Sequence, residues 1–245
     1  MTKPLEPPTP EWHERWTSWF ERSCPVEDLP APGGEVFRHA TRAARTFAAL
    51  ALTPPVYDTS GAHVPADLVE ALAVEADALL ATERQRRGLG RKWNCGPGPV
   101  AERMLDRVDL PAVVHALTGV HVAPPHGGTY LGYLDEGDSL SLHLDKQGFG
   151  EITAILCLRH RPATSPSAGE STAASGTVVI DSSGYRHFPA QAGALLVFDG
   201  AFTPHGRTPT TGEEQVLLLT LGFRALGVEL SGRRRPLPAP ELLLR

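Results

Sequence analysis

Two side chains near the middle of the sequence could hold a metal ion. His143 and Asp145 stand two residues apart in the segment LHLDK at 142–146, and residues two apart on a β-strand point to the same face of the sheet. Leu142 and Leu144 would then point to the other face and pack in the interior. An imidazole and a carboxylate on one face supply two of the ligands that a divalent metal needs.

A third ligand has to come from a distant part of the chain, and His205 is the candidate. Two histidines and one carboxylate that leave other coordination positions open form the facial triad of non-haem Fe(II) sites. A His-x-Asp pair on its own is more often a surface salt bridge or a strand-end hydrogen bond. The metal interpretation therefore depends on the pattern that surrounds the pair.

The surrounding segments predict an all-β core. Apolar runs rich in Val, Ile and Leu occur at 150–158, 176–181, 189–198 and 215–223, and Gly and Pro turns separate them. Short strands at regular spacing with such turns are typical of a β-sandwich or β-barrel.

Taken in order, these motifs resemble those of the Fe(II)- and 2-oxoglutarate-dependent oxygenases, most closely the prolyl-4-hydroxylase-like branch. The resemblance covers roughly residues 128–224 and includes the strand GTVVID, the turn PxxxG before LLVF, and the distal His. It implies a double-stranded β-helix, or jelly roll, with flanking α-helices. It also implies that His143, Asp145 and His205 hold Fe(II) and that 2-oxoglutarate and O2 take the open positions. Ascorbate is a further expected reductant.

The sequence departs from this pattern where the family holds the far carboxylate of 2-oxoglutarate. The family places an Arg or Lys on the last strand past the distal His, and this chain has Glu-Glu-Gln at 213–215. A guanidinium suits a carboxylate because it donates two parallel hydrogen bonds. Arg207 is the first candidate, followed by Arg159 and Arg224, and Tyr133 is a further expected contact to 2-oxoglutarate. For each arginine, a solvated surface charge is the alternative.

The first half of the chain is expected to form helices that support the β core. Apolar periodicity predicts helices at 11–22, 36–52, 65–87, 100–107 and 110–118. The aromatic face of the first of these helices indicates core packing, with a lid over the site as the alternative. The Gly-rich loop at 88–99, which carries Arg91, Lys92, Trp93 and Asn94, is a candidate for the substrate mouth. We expect one domain over 1–245, with a helical region to 119, a catalytic core at 120–225 and a C-terminal tail at 226–245.

The composition limits the class of partner and the compartment. A chain of 245 residues with 41% hydrophobic content can bury a sizeable core, and its net charge of −5 gives no basic footprint for nucleic acid. Three widely spaced cysteines predict neither a disulfide framework nor a zinc site. No apolar run approaches the ~18 residues of a membrane span. We therefore expect a cytoplasmic protein that binds neither nucleic acid nor membrane.

Together these features predict an Fe(II)/2-oxoglutarate-dependent dioxygenase that hydroxylates or otherwise oxidises a small molecule, such as an amino acid or a natural-product intermediate. Asp145 disfavours halogenation, because a Gly or Ala at that position would have opened a halide site. The missing late cation leaves two alternatives: a cupin-like jelly roll that binds a ligand without redox chemistry, and an Fe(II) oxygenase that does not use 2-oxoglutarate. The sequence does not indicate the substrate or the oligomeric state.

Overall fold

The computed structural model of the chain describes residues 10–23, 35–83, 90–146, 148–163 and 174–226. The tail expected at 226–245 lies outside the described residues apart from Leu226. Within the described residues, no helix is both long and apolar enough to cross a membrane.

Five helices lie in the described part of the first half of the chain, where the periodicity predicts them. They are α1 (Pro10–Ser23), α2 (Glu35–Ala48), α3 (Ala66–Glu83), α4 (Pro99–Arg107) and α5 (Leu110–Thr118). The ends of α5 show why the sequence sets its bounds. The Asp109 carboxylate accepts a hydrogen bond from the Ala112 N–H at 3.1 Å, and Gly119 ends the helix in the left-handed conformation that favours glycine.

Among the described residues, ten strands form two antiparallel sheets, which confirms the predicted all-β core. The major sheet has the order β1-β8-β5-β10-β3-β2, and the minor sheet has the order β4-β9-β6-β7. The strands are β1 (Val56–Asp58), β2 (Trp93–Cys95), β3 (Gly127–Tyr133), β4 (Leu140–His143), β5 (Ile152–Arg161), β6 (Gly176–Asp181), β7 (Gly184–Pro189), β8 (Leu195–Phe198), β9 (His205–Arg207) and β10 (Gln215–Phe223). The region expected to be helical thus also supplies both edge strands of the major sheet.

Apolar side chains cover both faces of each sheet. On β10, Leu217 and Leu219 pack outward in a cluster with the helices α3 to α5, whereas Val216 and Leu218 pack between the sheets. A strand buried on both faces reads as a continuous apolar run, which explains the uninterrupted Leu-rich sequence of β10. Against the outer face of the minor sheet, Trp16 and Phe20 of α1 pack with α2 in a separate cluster. The helices therefore hold the two sheets from outside.

One carboxylate ties α3 to both α4 and the major sheet. Glu75 accepts hydrogen bonds from the N–H groups of Val100 and Ala101 at 2.5 and 3.0 Å and from the Tyr130 hydroxyl at 2.7 Å. The first N–H groups of α4 have no partner within their own helix, so this side chain satisfies them.

We expect Glu75→Ala to lower the free energy of unfolding by about 2 kcal/mol, because it leaves these donors without an acceptor. Urea denaturation would measure the loss. Glu70→Ala, at an exposed position of the same helix, is the matched control and should change stability by less than about 0.5 kcal/mol. Equal losses in the two variants would contradict the assignment.

Candidate metal centre

The pairing of β4 with β9 brings the two predicted histidines together. His143 lies directly opposite His205 in this pairing, and their ring centroids are 4.2 Å apart. Asp145 follows the end of β4, where its N–H donates to the Gly200 carbonyl at 2.9 Å. One ligand atom from each of the three side chains lies within 4.8 Å of the other two. The structure thus brings the three predicted ligands to one point.

Backbone carbonyls fix the orientation of both imidazoles. Nδ1 of His143 lies 2.9 Å from the Ser141 carbonyl oxygen, and Nδ1 of His205 lies 2.9 Å from that of Thr203. A carbonyl can only accept, so Nδ1 must carry the proton in both rings and Nε2 presents its lone pair. Each Nε2 lies 3.6 Å from a different oxygen of Asp145. The lone pairs therefore converge on a common centre.

Burial and neighbouring charges favour the metal-binding protonation states of His143 and Asp145. Burial lowers the pKa of His143, and the neighbouring His205 lowers it further. Burial alone would raise the pKa of Asp145, but His205 and His143 together hold that pKa well below its usual value. A neutral imidazole and an ionised carboxylate are the metal-binding forms of these groups. This donor set fits Fe(II).

Thr153 and Gly200 position the Asp145 carboxylate. The Thr153 hydroxyl on β5 donates to Oδ2 of Asp145 at 2.5 Å. A Cβ at Gly200 would lie 2.3 Å from the same oxygen, so the residue at this position has to be glycine for the carboxylate to stay in place. Groups that hold a ligand in this way tune its orientation and the affinity of the site.

We expect Thr153→Val, which keeps the shape but removes the hydroxyl, to weaken divalent-metal binding by about 10- to 100-fold. Titration of the metal-free protein with Mn(II) would measure the change. Thr153→Ser keeps the donor and should bind within a few-fold of the unaltered protein. Equal affinities for the Val and Ser variants would show that the hydroxyl does not position Asp145.

A cavity of about 850 Å³ opens between the two sheets, and the three candidate ligands lie in its wall. Leu131, Ile155 and Leu218 give it an apolar inner face. Part of its polar lining comes from α1, the β2 segment and the loop after β4, through Glu14, Thr17, Ser18, Lys92, Asn94 and Lys146. Ligand pockets for drug-sized molecules have volumes of about 300–1,000 Å³. The cavity can therefore hold a ligand of that size.

Arg207 is a buried cation that lines the same cavity. Its Nη2 donates to Oγ and to the carbonyl oxygen of Ser175, at 2.9 and 3.3 Å, and its guanidinium carbon lies 4.9 Å from the centre of the Tyr133 ring. Nε makes no hydrogen bond among the described residues. Burial lowers the pKa of Arg207, since a charged guanidinium loses its hydration there. A buried N–H without an acceptor, such as Nε of Arg207, favours the binding of an anion that can accept its hydrogen bond.

The carboxylate of Glu214 is connected to Arg207 through Ser175. Oε1 of the buried Glu214 accepts from the Ser175 N–H at 3.0 Å and from its hydroxyl at 2.9 Å, and lies 3.0 Å from Nε2 of His160. Ser175 therefore links Glu214 to Arg207. Glu214 falls in the stretch where the resembling family has its cation. In this chain the stretch helps to position a cation that comes from β9.

The structure does not bring the other two arginines to the cavity. Arg159 makes a bidentate ion pair with Asp77 of α3, with both N–O distances 2.6 Å. A register shift between β5 and β10 places Arg159 opposite Leu217 on the outer face, although simple alternation would have turned it inward. Arg224 is exposed beyond the end of β10. Tyr133 is buried and lines the cavity, and its contact with 2-oxoglutarate stays a prediction.

The two facing antiparallel sheets form the double-stranded β-helix of the Fe(II)- and 2-oxoglutarate-dependent oxygenases, which confirms the predicted fold. A prolyl-4-hydroxylase from Pseudomonas putida superimposes with a TM-score of 0.55 at 19% identity, over 84% of this chain and 99% of that one. The α-ketoglutarate-dependent epimerase SnoN from nogalamycin biosynthesis gives a TM-score of 0.56 at 16% identity, over 82% and 93%.

A third similar structure holds ligands. HygX from Streptomyces hygroscopicus, with nickel, 2-oxoglutarate and hygromycin B bound, gives a TM-score of 0.52 at 16% identity, over 70% of this chain and 83% of that one. No family model and no curated protein sequence matches the chain. At these identities the likeness defines the fold.

Sequence reasoning missed several residues around the cavity. Thr153 is a hydroxyl in an otherwise apolar buried run, and this contrast was the available signal for it. On α1, the aromatic face packs in the core as expected, while Thr17 and Ser18 from the same helix line the cavity. No spacing rule pointed to these two, because their contact with the site depends on how α1 crosses the minor sheet.

Proposed function

We propose that this protein is an Fe(II)- and 2-oxoglutarate-dependent oxygenase that oxidises a small molecule. The observation that carries the proposal is that one short strand, β9, bears both a candidate metal ligand and a buried cation. His205, a member of the metal-binding cluster, and Arg207, a buried cation, are two residues apart on β9 and line the same cavity.

The spacing on β9 suits 2-oxoglutarate. Residues two apart on a strand are separated by roughly 7 Å, so one end of a five-carbon diacid can reach the metal centre while the other reaches the guanidinium. A guanidinium holds a carboxylate through paired, charge-assisted hydrogen bonds. Ser175 fixes one side of the Arg207 fork, and Tyr133 lies against its plane, which pre-orients the cation for the far carboxylate.

Each group of the site then has a distinct role. His143, Asp145 and His205 would hold Fe(II), which when bound supplies the O2 activation that couples decarboxylation of 2-oxoglutarate to oxidation of a substrate. Thr153 keeps the carboxylate in place, and the apolar inner wall limits access of water to the reacting centre.

The size and lining of the cavity favour a small-molecule substrate. HygX with bound hygromycin B and SnoN in complex with nogalamycin RO have similar folds, and both support a small-molecule substrate. We infer a natural-product intermediate or an amino acid, with hydroxylation or a related oxidation as the outcome, in the cytoplasm. Because Asp145 supplies the carboxylate of the triad, halogenation stays disfavoured.

Succinate formation tests the proposal. The purified protein with Fe(II), 2-oxoglutarate, ascorbate and O2 should release succinate, and the Mn(II)-loaded protein should bind the analogue N-oxalylglycine. Bound metal without succinate release or N-oxalylglycine binding would favour a cupin-like ligand-binding protein. Oxygen consumption that does not depend on 2-oxoglutarate would favour an Fe(II) oxygenase that does not use this co-substrate.

A further inference from the structure

A second polar site lines the cavity on the inner face of the edge strand β2. Lys92 immediately precedes this strand and Asn94 lies within it, and both side chains line the cavity. They are two residues apart and share a face, while Trp93 and Cys95 pack outward with the cluster that contains α3. This is the Gly-rich segment that the sequence marks as a candidate substrate mouth.

The backbone around these side chains is fixed at several points. Arg91 forms a bridge with Ser139, whose N–H donates to the Arg91 carbonyl at 2.6 Å. Gly90 has a φ of +85°, and a Cβ there would lie 2.5 Å from the Ser139 carbonyl oxygen, so the chain passes too close for a larger residue. Nε1 of Trp93 donates to the Asp135 carboxylate at 2.9 Å. The segment is therefore pre-organised to present Lys92 and Asn94.

The two lysines that line the cavity, Lys92 and Lys146, differ in burial and in charged neighbours. Lys146 is exposed at the rim and lies 3.9 Å from Glu14, whereas Lys92 is buried with 9% of its surface exposed. Burial lowers the pKa of Lys92 to about 8, and the Asp145 carboxylate opposes that lowering, so the amine is mainly cationic at neutral pH. An ammonium has three N–H donors and can serve contacts within the protein and a ligand together.

We infer that Lys92 and Asn94 form a carboxylate-binding site on the cavity wall, in addition to the one at Arg207. The ammonium supplies the charge and the carboxamide N–H2 a second donor, which is a suitable pair for a carboxylate. The inference rests on the proposed function, in which the cavity binds 2-oxoglutarate and the substrate that is oxidised. The carboxylate has two sources: the near end of 2-oxoglutarate, or an acidic group of the substrate that is oxidised.

Two measurements on Lys92→Met and Lys92→Arg distinguish these sources. The first is the affinity of the Mn(II)-loaded protein for N-oxalylglycine. The second is the shift in melting temperature caused by a panel of amino acids and hydroxy acids, each compared with its own primary amide, with and without Mn(II) and N-oxalylglycine. Arg107→Met is the control for net charge, because Arg107 is exposed and pairs with Asp67 away from the cavity. Lys92→Gln replaces the Met variant if that one does not fold.

If the site holds 2-oxoglutarate, Lys92→Met should weaken N-oxalylglycine binding by about tenfold or more, and Lys92→Arg should retain most of it. If the site holds the substrate, N-oxalylglycine binding should stay within about twofold. In that case some acids should bind better than their amides, and this preference should disappear in Lys92→Met. The inference is overturned if N-oxalylglycine binding is unchanged and no acid shows a preference that depends on Lys92.

Failure of the proposed function would look different. The unaltered protein would then neither bind N-oxalylglycine nor release succinate, while acids of the panel would still bind in a manner that depends on Lys92. Succinate release together with a Lys92→Met variant that matches the unaltered protein in both measurements would overturn only the second carboxylate site.

Discussion

Replacing His143 with Ala is expected to weaken Fe(II) or Mn(II) binding by more than about a hundredfold and to abolish succinate release. Loss of a group that merely orients a ligand costs 10- to 100-fold in affinity, so loss of one of three ligands should exceed that range. The remaining His205 and Asp145 cannot enclose the metal from three sides. Metal content after dialysis and calorimetric titration with Mn(II) would measure the change.

His115→Ala is the matched control for this experiment. His115 is exposed on α5, where it stacks on His121 at a centroid distance of 3.8 Å, and it does not line the cavity. The control should keep both metal and activity. Tight metal binding in the His143→Ala protein, with its circular dichroism unchanged, would exclude His143 as a ligand.

Arg207→Met is expected to weaken N-oxalylglycine and 2-oxoglutarate binding by about a hundredfold or more, with metal affinity nearly unchanged. Truncating one member of a desolvated charge pair costs roughly 2–5 kcal/mol, and no other arginine or lysine lies in the described part of β9 or β10 to replace it. The Michaelis constant for 2-oxoglutarate and the dissociation constant of N-oxalylglycine would both report the loss.

Arg159→Met is the matched comparison, because Arg159 forms an ion pair with Asp77 of α3 and does not line the cavity. It should leave N-oxalylglycine binding within about twofold. A lower affinity in the Arg159 variant than in the Arg207 variant would reverse the assignment.

The sequence predicted the parts of this site that depend on local periodicity. The alternation of a strand placed His143 and Asp145 on one face, and the ordered motifs pointed to His205 and to a double-stranded β-helix. All three side chains converge in the structure. The fold prediction succeeds because the apolar pattern strongly specifies the register of strands with buried faces, whereas the role of the three side chains as metal ligands stays a prediction.

Other parts depend on irregularities that no period reveals. The register shift between β5 and β10 turns Arg159 outward, and nothing in the run of β5 marks where that shift occurs. The link from Glu214 through Ser175 to Arg207 joins three segments that are far apart in sequence. The choice among the three candidate arginines therefore needed the pairing of the strands and could not be made from spacing.

The positions of both His205 and Arg207 depend on the close contact between β4 and β9 at Gly206. The pairing is irregular between Leu140 and His143, and a methyl group on Gly206 would lie 2.6 Å from the Leu140 carbonyl oxygen. The neighbours of Gly206 on either side are His205, a candidate metal ligand, and Arg207, the residue proposed to bind 2-oxoglutarate. Any residue larger than glycine at this position would push the strands apart and displace His205 and Arg207 together, so one substitution at Gly206 would impair both proposed binding functions at once.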